Sequence, residues 1–526
     1  MCYFSWGCSM RRLRVTILDL VTRGPTSSLF ARAMNPNLAS IMPQVIGVWC
    51  EELGHDVRFV CYTGFEDLTS ELADDTDVLI VGAFTRSALT AYAISNLYRR
   101  RGAVTILGGP HARSYPEDSA NYFDYVLGFT DKAVLQSILT DPAPQRPIGA
   151  QLDVGKQPEH LPGVRQRWKF IAPTIAKAPV FKLVPMIGSM GCPYTCSFCI
   201  DASVKYQPLD FGQITEDLRF LAATLRKPRV SWHDPNFGVR FNDYMEAIER
   251  AVPPGRIQFA AESSLALLSE ENLKRLKHVG FTGMLPGIES WFDFDTKSKT
   301  RKVGGLDKVR QVAEQVNRIL HYIPFVQTNF VLGLDSDEGE EPFELTKAYI
   351  DLAPGAYPAF SLFTCYGRAA PMNLDLQRDG RVLPFPFQFL DSNRAMNVIP
   401  LNYQWDEFYA HAVDLIRYAW SGASVWRRLA ANRGITAKAL NVTRSVSSTR
   451  VRYYSTVLEL LRRDSSVRRY HEGESRQLPE LYLQQIRKTL GPLWEVLPAG
   501  ALEHNQNAYL ESQRDAEHEQ PVAFAG

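Results

Sequence analysis

Excess charge of either sign is missing from this 526-residue chain: Lys+Arg 58 against Asp+Glu 57 leaves a formal net charge of +1. No global field therefore draws it to nucleic acid or to an acidic membrane. Long apolar runs are missing as well. The longest uncharged stretch of interest, 183–200, holds Pro185, Gly188, Gly191, Pro193 and three cysteines, which a lipid-spanning helix does not choose. No membrane span is expected. Gly 34 and Pro 32 are ordinary counts, which excludes a collagen-like or disordered chain. The opening residues, MCYFSWGCSMRRLR, place aromatic and polar groups ahead of the basic ones, the reverse of a signal peptide. A cytoplasmic protein is expected. Cysteine is scarce: eight in a chain this long are too few for a disulfide scaffold.

What is present is core-forming material. Hydrophobic residues make up 45% of the chain, and at about 150 residues per domain the length suggests about three folded units. Residues 13–20 (LRVTILDL) read as a buried parallel strand, 42–53 as a helix stopped by Gly54, and 57–62, 77–82, 104–107 and 125–128 as further strands, with a helix over 88–101. That alternation implies a doubly wound parallel sheet over 10–140. Segment 141–178, rich in Pro, Gln, Gly and Lys, reads as a linker. A second alternation begins at Val180, with strands at 180–189, 229–233, 257–262, 283–288, 326–334 and 359–364. Helices at 215–225, 243–251, 270–278, 306–321 and 341–352 lie between them. Six strands with intervening helices make most of a (β/α) barrel, so 179–400 reads as a (β/α)6 partial barrel with an extension. Helices at 408–428, 449–463 and 479–490 place a helical domain at 401–511, and 512–526 reads as a flexible polar tail. The fold class is α/β throughout the first two units.

Cys192, Cys196 and Cys199 stand in C-x-x-x-C-x-x-C spacing directly after the first strand of the second alternation. Thiolates this close can wrap one metal centre on a tight loop. Structural zinc asks for a fourth ligand at its own short spacing. Cys365 and His233 are distant and isolated in sequence, whereas iron–sulfur clusters are soft thiolate sites.

This spacing behind the first strand of a six-strand partial barrel resembles the radical S-adenosylmethionine (SAM) superfamily, including an aromatic, Phe198, before the last cysteine. The resemblance implies a 4Fe–4S cluster held by the three cysteines, with the open iron chelating SAM. It also implies reductive cleavage of the sulfonium, hydrogen abstraction from a substrate, and an electron donor such as flavodoxin or ferredoxin. Other strand ends fit the same frame. The segment holding Asp234 and Asn236 resembles the one that receives the SAM amino group, and Glu262-Ser263 the one touching ribose or carboxylate. Gly287 and Glu289 resemble the segment beside the adenosine, and Gly333 the next one. Each also reads as turn or cap chemistry: Asp234 and Asn236 as turn caps, Glu262 as a helix-capping carboxylate.

The amino-terminal pattern, Gly108-Gly109-Pro110-His111 after a strand, with Asn35-Pro36-Asn37 and Gly54-His55-Asp56, resembles the cobalamin-binding domain that precedes many radical SAM barrels. Thr85 and Arg86 stand where contacts to corrin side amides fall, and His111 where an edge contact does. A solvated loop is the alternative for the first pair and plain turn chemistry for the histidine. One departure matters: the D-x-H-x-x-G loop that supplies a cobalt ligand reads Asp19-Leu20-Val21-Thr22-Arg23-Gly24 here, and valine cannot coordinate cobalt. Cobalamin is then expected base-off without a protein histidine, and a cofactor-free flavodoxin-like sheet is the alternative.

Cys365 and Tyr366 end the sixth strand of the second alternation. Cys365 reads either as a thiol hydrogen donor or methyl relay, or as the small buried hydrophobe that a lone cysteine commonly is. Tyr366 reads as a residue that positions or quenches a radical. Arg-rich helices around Arg417, Arg427 and Arg462 interleave with acids, so no nucleic-acid surface is expected. The functional expectation is a cobalamin-dependent methyltransferase acting on a small molecule, secondary-metabolite or lipid-like. The alternatives are a radical cyclase, rearrangement or oxidation enzyme and, more distantly, a zinc-stabilised binding module.

Overall fold

A computed structural model describes residues 11–142, 149–202, 204–292, 304–446 and 449–505. Cys2, Cys8 and the tail expected at 512–526 lie outside them.

In β1 (Arg14–Leu20) every residue after Arg14 is buried, because the strand runs through the middle of a sheet covered on both faces. Parallel neighbours build outward in the order β2-β1-β3-β4-β5-β6. These are β2 (Asp56–Tyr62), β3 (Val78–Ala83), β4 (Val104–Gly108), β5 (Tyr125–Leu127) and β6 (Ala150–Leu152). The order reverses between β1 and β3. Their carboxyl ends thus flank a crevice of the kind in which open α/β sheets hold ligands.

β6 corrects the linker expected over 141–178. Residues 150–152 pair with 125–127, and Val164–Ala176 is a 13-residue helix despite Pro173. Its first N–H groups are met from afar, as the Asp217 carboxylate accepts from Val164 and Arg165. No local pattern announces such a cap, which is why Pro and Gly density misled here.

The second sheet is all parallel and in consecutive order, β14-β13-β12-β11-β10-β7. It comprises β7 (Leu183–Met186), β10 (Arg229–Trp232), β11 (Gln258–Ser264), β12 (Phe281–Glu289), β13 (Phe325–Leu332) and β14 (Tyr357–Leu362). A two-residue pair, β8 (Ser189–Met190) and β9 (Gln207–Pro208), brackets the cysteine loop. Helix Glu270–Val279 shows how local chemistry sets the intervening helices. Ser269 accepts from Asn272 N at its start, and Gly280, at φ +113°, ends it in the left-handed conformation. In β13 exposure alternates strictly: Val326, Thr328, Phe330 and Leu332 are buried beneath helices, while Phe325, Gln327, Asn329 and Val331 stay half-buried on the other face. That second face is the concave wall of the open sheet.

The carboxy-terminal helices are not set apart. One hydrophobic core runs from Leu18 and Val81 through the second sheet to Tyr454, Tyr482 and Leu493. The helix expected over 408–428 is two, Trp405–Ala419 and Gly422–Ala431, because Ser421 takes the cap of the second by accepting from Ser424 N. Among the described residues no helix is long and apolar enough to cross a membrane.

Candidate active site

The cysteine loop leaves β8 through Gly191, whose φ is +68°. A Cβ there would lie 2.5 Å from the Lys205 carbonyl oxygen, so only glycine permits the close crossing. Cys192 and Cys199 are half-buried and Cys196 is 8% exposed. The described cysteines are thiols, none joined in a disulfide. Cys199 N donates to Cys196 O at 2.9 Å, which winds the last part of the loop into a turn. Half-buried Phe198 rides on it. Among the described residues no three His, Cys, Asp or Glu side chains converge as ligands of a single metal ion. A four-iron cluster asks for something else, one thiolate per iron around a larger body, and three cysteines on one loop suit it.

Two neighbours clamp the loop. Met372 N donates to Ser197 O at 2.9 Å. From the first sheet, Arg113 reaches across with Nη2 on Ile200 O at 3.3 Å and Nη1 3.5 Å from Asp201 Oδ1. The cysteine loop therefore stands against the carboxyl edge of the first sheet. Arg113 escaped the sequence reading, although its place four residues after Gly109 was a usable signal.

Asp234 is an anchor rather than an open ligand. Buried at 2% exposure, it accepts from Gly188 N at 3.2 Å, from the Ser189 hydroxyl at 2.7 Å and from the Tyr244 hydroxyl, holding the entry to the loop. Burial pushes its carboxyl above the usual range. Ser263 is likewise committed, donating to Phe237 O at 2.9 Å. Gly333, at φ +86°, is buried against Met396 and Phe408 of the carboxy-terminal part, and its N–H is taken by Asp337. It is a packing glycine, not a cofactor contact.

Four expected residues do face the concave side. Glu262 is exposed in the middle of an interior strand, so it borders open space. Asn236 uses Oδ1 to accept from Ser264 N at 2.9 Å, while its buried Nδ2 and the Ser264 hydroxyl meet no partner among the described residues. Gly287 and Glu289 flank a shift in strand register. Glu289, at φ +65°, folds its side chain over Gly287, a strained backbone that costs about 1–3 kcal/mol and clusters at functional sites. His233, on the same wall, is pushed down to about 4 by burial and by the Arg167 charge, so it is neutral. Arg444 donates to Gln327 Oε1, and its guanidinium carbon lies 4.1 Å from the Tyr357 ring centroid.

At the carboxyl edge of the first sheet, a Cβ on Gly108 would meet nothing within 4 Å, and Gly109 takes φ +94°. Ser87 Oγ, Arg86 Nε and Thr130 Oγ1, which follow β3 and β5, are buried without partners among the described residues. Thr85 is buried in the turn beside them. Open space and unmet polar groups suit a polar ligand at this edge. His111 does not reach it. It is fully buried, its Nε2 lies 2.6 Å from the Tyr92 hydroxyl, which donates onward to Asp118 at 2.7 Å, and burial pushes it down to about 3. Val21, directly after β1, packs with Ala39 and Cys61.

Cys365 is also withdrawn. It is fully buried, its N–H and carbonyl are both held by Asn397, and burial pushes its thiol up to about 12. This is the inert packing cysteine, not a thiol donor. Tyr366 is half-buried, with its hydroxyl 2.5 Å from Ser392 Oγ.

A helix-covered open parallel sheet carrying three cysteines after its first strand defines the class, and the comparisons agree. Residues 186–344 match the radical SAM superfamily. Two relatives from Chlorobaculum tepidum are methyltransferases. Bacteriochlorophyllide d C-12(1)-methyltransferase is 22% identical over 370 residues, 67% of this chain and 76% of the relative. Bacteriochlorophyllide d C-8(2)-methyltransferase is 24% identical over 310 residues, 56% of this chain and 66% of that one. Among solved structures, the cobalamin-dependent SAM radical enzyme OxsB shares the fold at TM-score 0.53 and 12% identity, over 97% of this chain and 81% of that one. The radical SAM methyltransferase TsrM from Kitasatospora setae, with cobalamin and a 4Fe–4S cluster bound, does so at TM-score 0.51 and 14% identity, over 74% and 79%.

Proposed function

We propose that this chain is a cobalamin-dependent radical SAM methyltransferase acting on a small organic substrate. One observation supports the reading: Arg113 ties Ile200 and Asp201, directly after Cys199, to the carboxyl edge of the first sheet, which would bring a cluster and a corrinoid into one space. Bound there, the cluster and SAM would supply one-electron cleavage of a sulfonium and hydrogen abstraction, and cobalamin a methyl carrier.

The chain's own residues do the holding. Cys192, Cys196 and Cys199 provide three thiolates, and Asp234 fixes the loop that presents them. Asn236 Nδ2, the Ser264 hydroxyl and Glu262 offer polar groups to SAM on the concave wall, with Gly287 and Glu289 beside the adenosine. Gly108 lets a flat ligand approach the first sheet, and Ser87 and Thr130 offer hydroxyls to its amides. The names of the two Chlorobaculum relatives and the cofactors of TsrM favour methyl transfer over a cyclase or rearrangement. An external reductant of the flavodoxin or ferredoxin kind would feed the cluster.

Anaerobic turnover with SAM, reductant and hydroxocobalamin tests this against candidate substrates. Methylated product, S-adenosylhomocysteine and 5′-deoxyadenosine are expected in about equal amounts. Deoxyadenosine without S-adenosylhomocysteine above background would reject methylation in favour of a cyclase or rearrangement.

A further inference from the structure

Three guanidinium groups gather about one carboxylate where the first sheet meets the segment 385–394. Arg23 follows β1 and Arg86 follows β3, the two strands that flank the reversal of strand order. Arg394 comes from the opposite wall. Arg23 Nη2 lies 2.7 Å from Asp391 Oδ2, and the Asp391 side chain is 2% exposed. Arg86 and Arg394 both feel the Asp391 charge, and both feel Arg23 as well. One carboxylate neutralises one cation, which leaves the other two without a matching anion among the described residues, in a place largely withdrawn from water. Burying a charge without a counter-charge is costly. The strain registers on the arginines themselves: burial and then, for Arg394, the neighbouring Arg23 charge push its guanidinium below its usual range.

Donors are also left over. Arg86 spends Nη2 on Val21 O at 2.8 Å, while its buried Nε meets no partner among the described residues. Arg394 gives Nη1 to Gln485 Oε1 at 3.2 Å. Tyr453, whose ring centroid is 5.8 Å from the Arg394 guanidinium carbon, has a buried hydroxyl with no partner among the described residues. Unmatched positive charge and unmet donors ask for the same thing, a planar or tetrahedral oxyanion, which arginine forks fit.

We propose that Arg86, Arg394 and Tyr453, braced by the Arg23–Asp391 pair, form an oxyanion subsite at the edge of the active-site space. The inference rests on the proposed function only for the source of the anion, which is a carboxylate of the small-molecule substrate or the phosphodiester of cobalamin's nucleotide loop.

Inorganic phosphate is the probe, titrated calorimetrically into the full-length protein at constant ionic strength. Saturable binding at one site per chain is expected. Arg394→Gln and Arg86→Gln should each weaken it about tenfold or more, the scale of a charge-assisted hydrogen bond. Tyr453→Phe removes a hydroxyl that the fold does not use, so that variant folds, and it should weaken binding severalfold. No saturable binding in the parent protein, or equal affinity in all three variants, overturns the subsite. Repeating the titration after loading with hydroxocobalamin, or with cobinamide, which lacks the phosphodiester, separates the sources. Binding lost with cobalamin but kept with cobinamide assigns the phosphodiester, and binding kept with both assigns a substrate acid. Binding lost with both overturns the proposal, because the corrin ring then covers the guanidiniums. Should neither corrinoid bind, the functional reading fails while the phosphate isotherm still judges the subsite.

Discussion

Replacing Asp234 with alanine separates an anchoring role from a SAM-binding one. Three buried donors would lose their acceptor at once: Gly188 N–H, the Ser189 hydroxyl and the Tyr244 hydroxyl. A buried donor left unmet costs about 1–3 kcal/mol, and three sharing one site relax together, which caps the sum near 5 kcal/mol. An opposing term exists. Burial already raises the Asp234 carboxyl above its usual range, so the wild type bears a desolvation cost that alanine removes. The loss should fall near 3 kcal/mol, against roughly 5–15 kcal/mol for a whole domain. In thermal unfolding that is a drop of roughly 10 °C at 2–4 °C per kcal/mol. Iron per chain should fall too, because Gly188 and Ser189 lead directly into the cysteine loop. Asp234→Asn keeps one acceptor and should lose less on both counts. An alanine variant with wild-type unfolding temperature and full iron, but weakened SAM binding, would refute the anchor and restore Asp234 as a direct ligand.

Cys192→Ala, Cys196→Ala and Cys199→Ala should each abolish iron binding and SAM cleavage, measured by iron assay and 5′-deoxyadenosine release, whereas Cys365→Ser should keep the cluster. Burial pushes His471 from 6.5 down to about 4. The fold therefore disfavours the imidazolium, and this contribution is present above pH 6.5 and lost as pH falls through 4. It is worth roughly 3 kcal/mol at 1.36 kcal/mol per unit. Stability of His471→Gln measured from pH 7 to 4 should decline less steeply than that of the parent, and parallel declines would contradict it. In the cob(II)alamin-loaded protein, electron paramagnetic resonance should show no splitting from a lower nitrogen. A nitrogen triplet would mean that His111 can leave Tyr92 or that another histidine reaches cobalt.

The strands were legible wherever burial on both faces forces an unbroken apolar run, as in β1, and the cysteine centre because its spacing is itself the chemistry. Reading stopped where direction matters. Asp234, Gly333 and Cys365 all stand behind strand ends, but a strand end does not say toward which wall a side chain turns. Asp234 turns toward Tyr244, a side chain at Gly333 would meet Met396 and Phe408, and the Cys365 thiol faces Gln377. His111 was placed beside a ligand edge by its Gly-Gly-Pro turn, yet its partner Tyr92 lies on the helix before that turn's own strand. Helix Val164–Ala176 was hidden because its cap, Asp217, comes from another helix.

The order of the chain explains why two ligand edges meet. A consecutive parallel sheet that stops at six strands leaves one side unclosed, between β7 and β14. The first domain fills that region from both ends: Asn37 accepts from Leu183 N at the start of β7, and Tyr115 donates to Cys365 O just past β14. Docked at both edges, the first sheet presents the carboxyl ends of β3 and β4 to the concave wall. The segment 385–394 then closes the crevice from the far side, with Gln388 O accepting from Arg23. A closed eight-strand barrel would have excluded the first sheet from its interior. The missing strands are what allow the first sheet to stand against the open side of the second.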